Sequence, residues 1–214
     1  EHVYEVLPGH YMCYSKKGFT EHMYWDLTAA EHEDSYPATV KKVSWLVEDA
    51  VIRQMTADVP VCTFLSGGID SSIVTAIAAN YMKKRGEILN TFSFDFKGND
   101  KYFHSNAFQP ERDLPYVNIM RKQYATNHTY LECDETLLAN TLFAAVDARD
   151  YPGMADIDAS LLYFCSLVKQ HNKVALTGEC ADEIFCGYPW FYRPELLNCD
   201  GFPCLTISLP APCF

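Results

Sequence analysis

The sequence has 214 residues, of which 49% are hydrophobic and 21% charged, so it is long enough to bury a globular core. Its net charge of −11 argues against a nucleic-acid partner, because phosphate contacts need clustered Lys and Arg. The nine cysteines form no C-x-x-C pair and no zinc-ligand spacing, which favours reduced thiols in a cytoplasmic protein over a disulfide framework.

The N-terminal part of the chain is predicted to be a short β segment. Strands are expected within the first 27 residues, separated by turns at Pro8-Gly9 and Lys16-Lys17-Gly18. The first residue is Glu1 rather than Met, and no apolar signal segment follows it, so we expect an internal part of a larger protein. No apolar run approaches the roughly 20 residues of a membrane span.

The rest of the chain is predicted to alternate between helices and strands. Polar residues 28–36 should form a linker, and apolar residues at helical spacing predict a helix from Pro37 to about Thr56. Four strands are predicted at 59–65, 88–96, 128–132 and 173–176, and four helices are predicted at 71–86, 114–124, 134–146 and 157–170. Residues 97–111 and 149–156 are predicted loops.

This alternation predicts an α/β fold in which a parallel sheet is sandwiched by helices. Ligands of such folds bind beyond the carboxyl ends of the strands. Two of the predicted strands end next to glycine, at residues 66 and 177, and these are the expected positions of a binding site.

The first of these strand ends reads Ser66-Gly67-Gly68-Ile69-Asp70-Ser71-Ser72. Its glycines allow close approach of the backbone to a ligand, and the start of the following helix favours phosphate. The segment is not a Walker A loop, because it lacks the G-x-x-x-x-G-K-[ST] pattern and its lysine. Asp70 next to a polyphosphate would be repelled unless a metal lay between them, so this residue predicts Mg²⁺. A Gly-Gly turn capped by Asp and Ser remains the alternative that needs no ligand.

The second strand end carries three carboxylates within five residues, Glu179, Asp182 and Glu183. Acidic residues are favoured at the start of a helix even where no ligand binds. Magnesium, however, usually takes one or two protein carboxylates together with phosphate oxygens. Asp182 is therefore the candidate for a second metal ligand beside Asp70.

The motifs SGGIDSS (66–72) and TGECADEIFCGYPWF (177–191) resemble the synthetase domain of glutamine-dependent asparagine synthetases. The resemblance covers residues 3–198 and implies the adenine-nucleotide α-hydrolase fold, also called the PP-loop ATP pyrophosphatase fold. It implies that the side-chain carboxylate of aspartate attacks the α-phosphate of ATP, giving β-aspartyl-AMP and pyrophosphate. Ammonia, made from glutamine in a separate glutaminase domain, then displaces AMP and gives asparagine.

Carried onto this sequence, the resemblance implies ATP binding by the loop, the second strand end and two aromatic residues. These residues are Phe64, Ser66, Gly67, Gly68, Asp70, Ser71, Ser72, Phe94, Thr177 and Gly178. Asp70 and Asp182 would ligate Mg²⁺. Glu179 matches the acid that handles the amine in the second step, where a general base is plausible chemistry. Core packing is the open alternative for Phe64 and Phe94.

The resemblance also divides the chain into residues 1–30, 36–198 and 199–214. The first range would be the last strands of the glutaminase domain with a linker, and the second a partial ATP-pyrophosphatase domain. The third, with three Pro and three Cys, departs from the family pattern and is expected to be an atypical tail. Cys186 stands where the family usually has Gly, which is expected to stiffen the turn and disturb the site.

We expect this fragment alone to be inactive, because it lacks the family's nucleophilic N-terminal cysteine and its lysine-containing helical half. The expected setting is the cytoplasm, without nucleic-acid or membrane partners, and the full-length parent could form a homodimer. Two other functions stay open. A related synthetase could form an amide or lactam from another carboxylate, since β-lactam synthetases and lasso-peptide cyclases use similar loops. The chain could also be a non-catalytic nucleotide-binding remnant.

Overall fold

The computed structural model describes residues 4–105 and 111–197. Within them, the residues up to Ser44 form one compact unit and those from Trp45 onwards form another. This division falls inside helix α1 (Tyr36–Gln54), whereas the sequence predicted a linker at 28–36. The predicted helix from Pro37 is confirmed by α1. The predicted tail at 199–214 lies outside the described residues.

The first unit contains an antiparallel hairpin of β1 (His10–Ser15) and β2 (Gly18–Met23). His10 lies opposite Met23 and Ser15 opposite Gly18, which confirms the predicted strands and the turn between them. The prediction of a strand before the turn at Pro8-Gly9 is wrong for residues 4–7, which form no strand. The chain turns at Pro8-Gly9, where the His10 amide donates to the Leu7 carbonyl at 3.1 Å, and no described strand pairs with residues 4–7.

The second unit is built around a parallel sheet of four strands. These strands are β3 (Val61–Phe64), β4 (Asn90–Phe96), β5 (Asn127–Cys133) and β6 (Val174–Leu176). Their order is β5-β4-β3-β6, and every neighbouring pair is parallel. In this register Cys62 of β3 lies opposite Asn90 on one side and Ala175 on the other.

Helices connect these strands in the predicted order. After α1 they are α2 (Ile69–Lys84), α3 (Asn99–Tyr102), α4 (Leu114–Tyr124), α5 (Glu135–Arg149), α6 (Ala155–Val168), α7 (Ala181–Phe185) and α8 (Pro194–Leu197). The predicted cap is confirmed, since Asp134 accepts from the Leu137 amide at 2.9 Å. Describing all of 97–111 as a loop was wrong, because α3 forms within it. One turn of helix is too short to show a hydrophobic period.

Alternate residues of β3 face different helices. Val61 belongs to a core cluster with Ala78 of α2 and Leu89, and Thr63 bonds Thr75 of α2 at 2.9 Å between their buried hydroxyls. Cys62 packs instead with Phe92 and Val168, the last residue of α6. Because successive side chains of a strand point to opposite faces, α2 and α6 cover opposite faces of the sheet. The predicted α/β sandwich with a parallel sheet and a short N-terminal β segment is therefore confirmed.

Candidate active site

The SGGIDSS loop joins the end of β3 to the start of α2. Gly67 adopts a φ of +91°, a conformation that favours glycine. A Cβ at this position would also lie 2.8 Å from the Asp113 carbonyl oxygen and 3.0 Å from the Tyr116 Cβ. The glycine therefore lets the loop approach the start of α4 more closely than any other residue could.

The hydroxyl of Ser71 holds this loop in shape. It accepts from the Ser66 amide at 3.2 Å, donates to the Gly68 carbonyl at 3.2 Å and lies 2.9 Å from the Ser66 hydroxyl. Ser71 is buried, whereas Ser66 is exposed. Three contacts within one loop indicate that Ser71 fixes the backbone, while the first amide groups of α2 have no carbonyl partner inside the helix.

The second strand end packs directly against the loop. After β6, Gly178 lies so close to the loop that a Cβ there would be 2.7 Å from the Ser71 amide nitrogen and 2.8 Å from the Asp70 Cβ. Real Cβ atoms essentially never make contacts this short. Glycine at 178 thus allows the two motifs, which are more than a hundred residues apart in sequence, to form one site.

A cavity of about 180 Å³ lies where the two motifs meet. Its lining includes Ser66, Gly68 and Asp70 from the loop, and Glu179, Asp182 and Glu183 from the second motif. Asp182 and Glu183 belong to the short helix α7, while Glu179 precedes it. All three carboxylates that the sequence groups after β6 therefore border the same space.

The carboxyl groups of this cavity influence one another. Burial and, to a smaller extent, the negative charge of Asp182 raise the pKa of Asp70 above its ordinary value. Glu183 accepts from the Tyr188 hydroxyl at 3.0 Å, and this bond raises the pKa of Tyr188. Two partly buried carboxylates that repel each other form a donor set suited to a hard divalent cation. The described residues contain no group of three or more His, Cys, Asp or Glu arranged to hold a metal ion.

Comparison with known proteins gives this arrangement a family. The sequence model of the asparagine synthase family matches residues 42–212, which is most of the chain. The chain belongs to the asparagine synthase family. The match also includes most of the segment that was predicted to be an atypical tail.

Three curated relatives of this asparagine synthase chain are each longer than it is. Glutamine-hydrolyzing asparagine synthetase 3 of Bacillus subtilis is 47% identical over 93% of this chain and 32% of its own length. Amidase chyE of Penicillium rubens is 32% identical over 97% of this chain and 32% of its own length. Asparagine synthetase 1 of Bacillus subtilis is 32% identical over 92% of this chain and 29% of its own length. The chain thus spans about a third of these relatives.

Solved structures resemble the asparagine synthase chain only weakly. NAD⁺ synthetase from Burkholderia pseudomallei superposes with a TM-score of 0.35 at 12% identity, covering 79% of this chain and 78% of that one. A predicted tRNA methyltransferase subunit from Methanocaldococcus jannaschii superposes with a TM-score of 0.33 at 15% identity, covering 56% of this chain and 52% of that one. Scores this low carry no inference about the site. Among the described helices, none is both long and apolar enough to cross a membrane.

The remaining predicted ATP-binding residues lie at different distances from the cavity. Thr177 is exposed, and its hydroxyl accepts from the Glu179 amide at 3.4 Å. Phe64 and Phe94 contact each other edge to face with their ring centroids 4.8 Å apart, and both pack against the core cluster of Cys62. This packing favours the core alternative for Phe64, while Phe94 also borders a second cavity. The roles of Thr177, Phe64 and Phe94 in nucleotide binding stay predictions.

One polar group near the loop was missed at the sequence level. Asp95, the penultimate residue of β4, accepts from the hydroxyl of Tyr130 and from the side-chain amide of Asn99, both at 2.6 Å. The rule that ligands bind at the carboxyl ends of parallel strands could have found it, since the predicted strand at 88–96 ends next to it. Its partners could not have been found, because they come from β5 and α3.

Proposed function

We propose that this chain carries the ATP-pyrophosphatase site of an enzyme that amidates aspartate to asparagine. The side-chain carboxylate of aspartate would attack the α-phosphate of ATP, forming β-aspartyl-AMP and releasing pyrophosphate, and ammonia would then displace AMP. The observation that carries the proposal is the cavity in which the glycine-rich loop after β3 meets the three carboxylates after β6.

The loop is suited to holding the pyrophosphate part of ATP. Ser66 and Gly68 border the cavity, and the amide groups that begin α2 offer donors and the positive end of a helix dipole. Such donors stabilise charge that develops on phosphate oxygens during the reaction. Ser71 contributes by fixing the Ser66 hydroxyl, which lies 2.9 Å from its own.

Asp70 and Asp182 would hold Mg²⁺, since both border the cavity and the charge of Asp182 already acts on Asp70. When bound, the metal would neutralise the phosphate oxygens that two carboxylates would otherwise repel. Glu179, which is exposed at the same cavity, would take a proton from the attacking amine. Ammonia would come from a glutaminase domain of the full-length protein, which could also be a cytoplasmic homodimer.

The test is aspartate-dependent exchange of labelled pyrophosphate into ATP, measured with the 214-residue chain and with the full-length parent. We expect exchange from the parent that needs aspartate and is lost in Asp70→Asn and Asp182→Asn. Binding of Mg-ATP to the short chain without exchange would support a non-catalytic fragment. No aspartate-dependent exchange from the parent would refute the proposal.

The role of Glu179 is tested separately, in the parent supplied with an ammonium salt. Glu179→Gln should keep pyrophosphate exchange but lose asparagine formation, because only the second step needs the base. Glu183→Gln is the matched control, since Glu183 lies at the same cavity with its carboxylate bonded to Tyr188. Equal losses in the two variants would contradict a specific role for Glu179.

A second candidate function keeps the activation step and changes the substrate. Two relatives carry the name amidase, chyE of Penicillium rubens at 32% identity and chry2 of Gibberella zeae at 28%. Their names favour the alternative of an amide-forming enzyme that activates a different carboxylate. Exchange with another carboxylic acid, but not with aspartate, would select this second function.

A further inference from the structure

A second cavity lies beside the first, at the carboxyl end of β4, with Tyr130 of β5 also in its lining. It has a volume of about 200 Å³, and Ser66 borders both cavities. Its walls are partly apolar, with Phe94, Leu114 and Val117 among them. Phosphates in the first cavity would therefore place the remainder of a nucleotide next to apolar and aromatic side chains, which suit a flat base.

Asp95 and Asp113 are the two acidic residues in the lining of this second cavity, and Asp95 is the one on a strand of the sheet. Its side chain is only 14% exposed, and its position is set by three donors. Oδ1 accepts from the Phe96 amide at 2.8 Å and from Asn99 at 2.6 Å, and Oδ2 accepts from the Tyr130 hydroxyl at 2.6 Å. The Arg112 guanidinium lies 4.0 Å from Oδ2.

The carboxylate has capacity for one more donor. An ionised carboxyl group offers about four acceptor positions, and three are occupied by the bonds above. Among the described residues, Oδ1 has two donors and Oδ2 has one, with the Arg112 guanidinium 4.0 Å away, so Oδ2 is the oxygen that a ligand donor would approach. A ligand group that donates a hydrogen bond would complete the set, whereas a ligand carbonyl at the same point would face a partly buried negative charge.

We propose that Asp95 determines base specificity by accepting a hydrogen bond from the exocyclic 6-amino group of adenine, and that it rejects purines with a 6-oxo group. This rests on the proposed function, because the phosphate loop is what directs the base into the second cavity. The residue would act through contact with the substrate, since it borders the cavity itself. The 2′-hydroxyl of the ribose is the competing donor that the experiment distinguishes.

The experiment measures binding of Mg-ATP, Mg-ITP, Mg-2′-deoxyATP and tripolyphosphate to the 214-residue chain by calorimetry. We expect ATP to bind about 10- to 100-fold more tightly than ITP, the range for a hydrogen bond to a charged group. Asp95→Asn should abolish or reverse this preference, because an amide can donate to the 6-oxo group, while tripolyphosphate affinity stays unchanged. Asp100→Asn, the same change at an exposed position of α3, is the control and should keep the preference.

Equal affinity for ATP and ITP in the unsubstituted chain would overturn the proposal, whether or not Asp95→Asn folds. The proposal would also be overturned if the chain bound ATP more tightly than 2′-deoxyATP and this difference disappeared in Asp95→Asn. Failure of tripolyphosphate to bind would instead refute the phosphate site and the proposed function. In that case, comparing the binding of adenosine and inosine by ligand-detected NMR would still test the role of Asp95, since neither nucleoside carries phosphate.

Discussion

Gly178 lies against the backbone of Asp70, close enough that a Cβ on residue 178 would be 2.8 Å from the Asp70 Cβ and 2.9 Å from its carbonyl carbon. This contact joins the end of β6 to the start of α2. Asp70 and Asp182 can border the same cavity only if these two segments touch. The relative position of the two carboxylates therefore depends on Gly178, a residue without a side chain.

Gly178→Ala should therefore separate the two motifs. Overpacking of this kind costs about 1 to 3 kcal/mol of unfolding free energy, which denaturant titration would measure. Tripolyphosphate binding should weaken as well, because the loop must shift. Gly68→Ala is the matched control for stability, since its Cβ would meet only the Ser66 hydroxyl at 3.6 Å and its φ is −65°. A larger loss of stability in the control would contradict the assignment.

Ser71→Ala and Ser72→Ala should differ in stability although the residues are neighbours. Ser71 is buried and makes three hydrogen bonds within the loop, so its loss leaves partners unsatisfied and should cost about 1 to 3 kcal/mol. Ser72 is half-buried, and its hydroxyl makes no hydrogen bond to the described residues, so its substitution should cost about 0.5 kcal/mol or less. Thermal melts of the two variants check this, and equal melting temperatures would contradict it.

Cys186→Gly should stabilise the protein. Cys186 ends α7 with a φ of 56°, a left-handed conformation that costs a residue with a side chain about 1 to 2 kcal/mol. Part of this gain is offset by the greater freedom of glycine in the unfolded chain, so we expect about 0.5 to 1 kcal/mol in denaturant titration. Cys186→Ala keeps the unfavourable conformation and should show no such gain. A gain in both variants would point to the thiol instead.

His128 should make stability depend on pH below neutrality. Burial, helped by the charge of Arg121, lowers the pKa of His128 from its ordinary value of 6.5, and the ring lies 2.9 Å from the hydroxyls of Thr91 and Ser93. The unfolded chain then binds the proton more readily, so stability is full above about pH 6.5 and falls as pH decreases from there.

The measurement for His128 is the difference in unfolding free energy between the unsubstituted chain and His128→Gln, taken from pH 8 to about pH 5. Carboxylates titrate in both proteins and cancel in the difference. We expect the advantage of the histidine to shrink as the pH falls below 6.5. A difference that does not vary with pH would show that His128 does not cause the effect.

Local patterns in the sequence were enough for most of the fold. The apolar run before Ser66, the helical spacing after it and the capping residue Asp134 each predicted an element that the structure contains. Errors arose where the pattern was short. Residues 4–7 contain β-forming side chains but no described partner strand, and α3 is a single turn. A strand needs its neighbour, which local sequence does not specify.

The sequence by itself determined the strand–loop–helix with its two glycines and Asp70, because these depend on backbone conformation and on residues adjacent in the chain. It also determined that carboxylates would follow the last strand. Only the tertiary structure decided that Gly178 touches Asp70, that all three acids border one cavity, and that Asp95 is held by Tyr130 and Asn99. Parallel strand order places these groups together, and that order depends on packing between segments distant in the sequence.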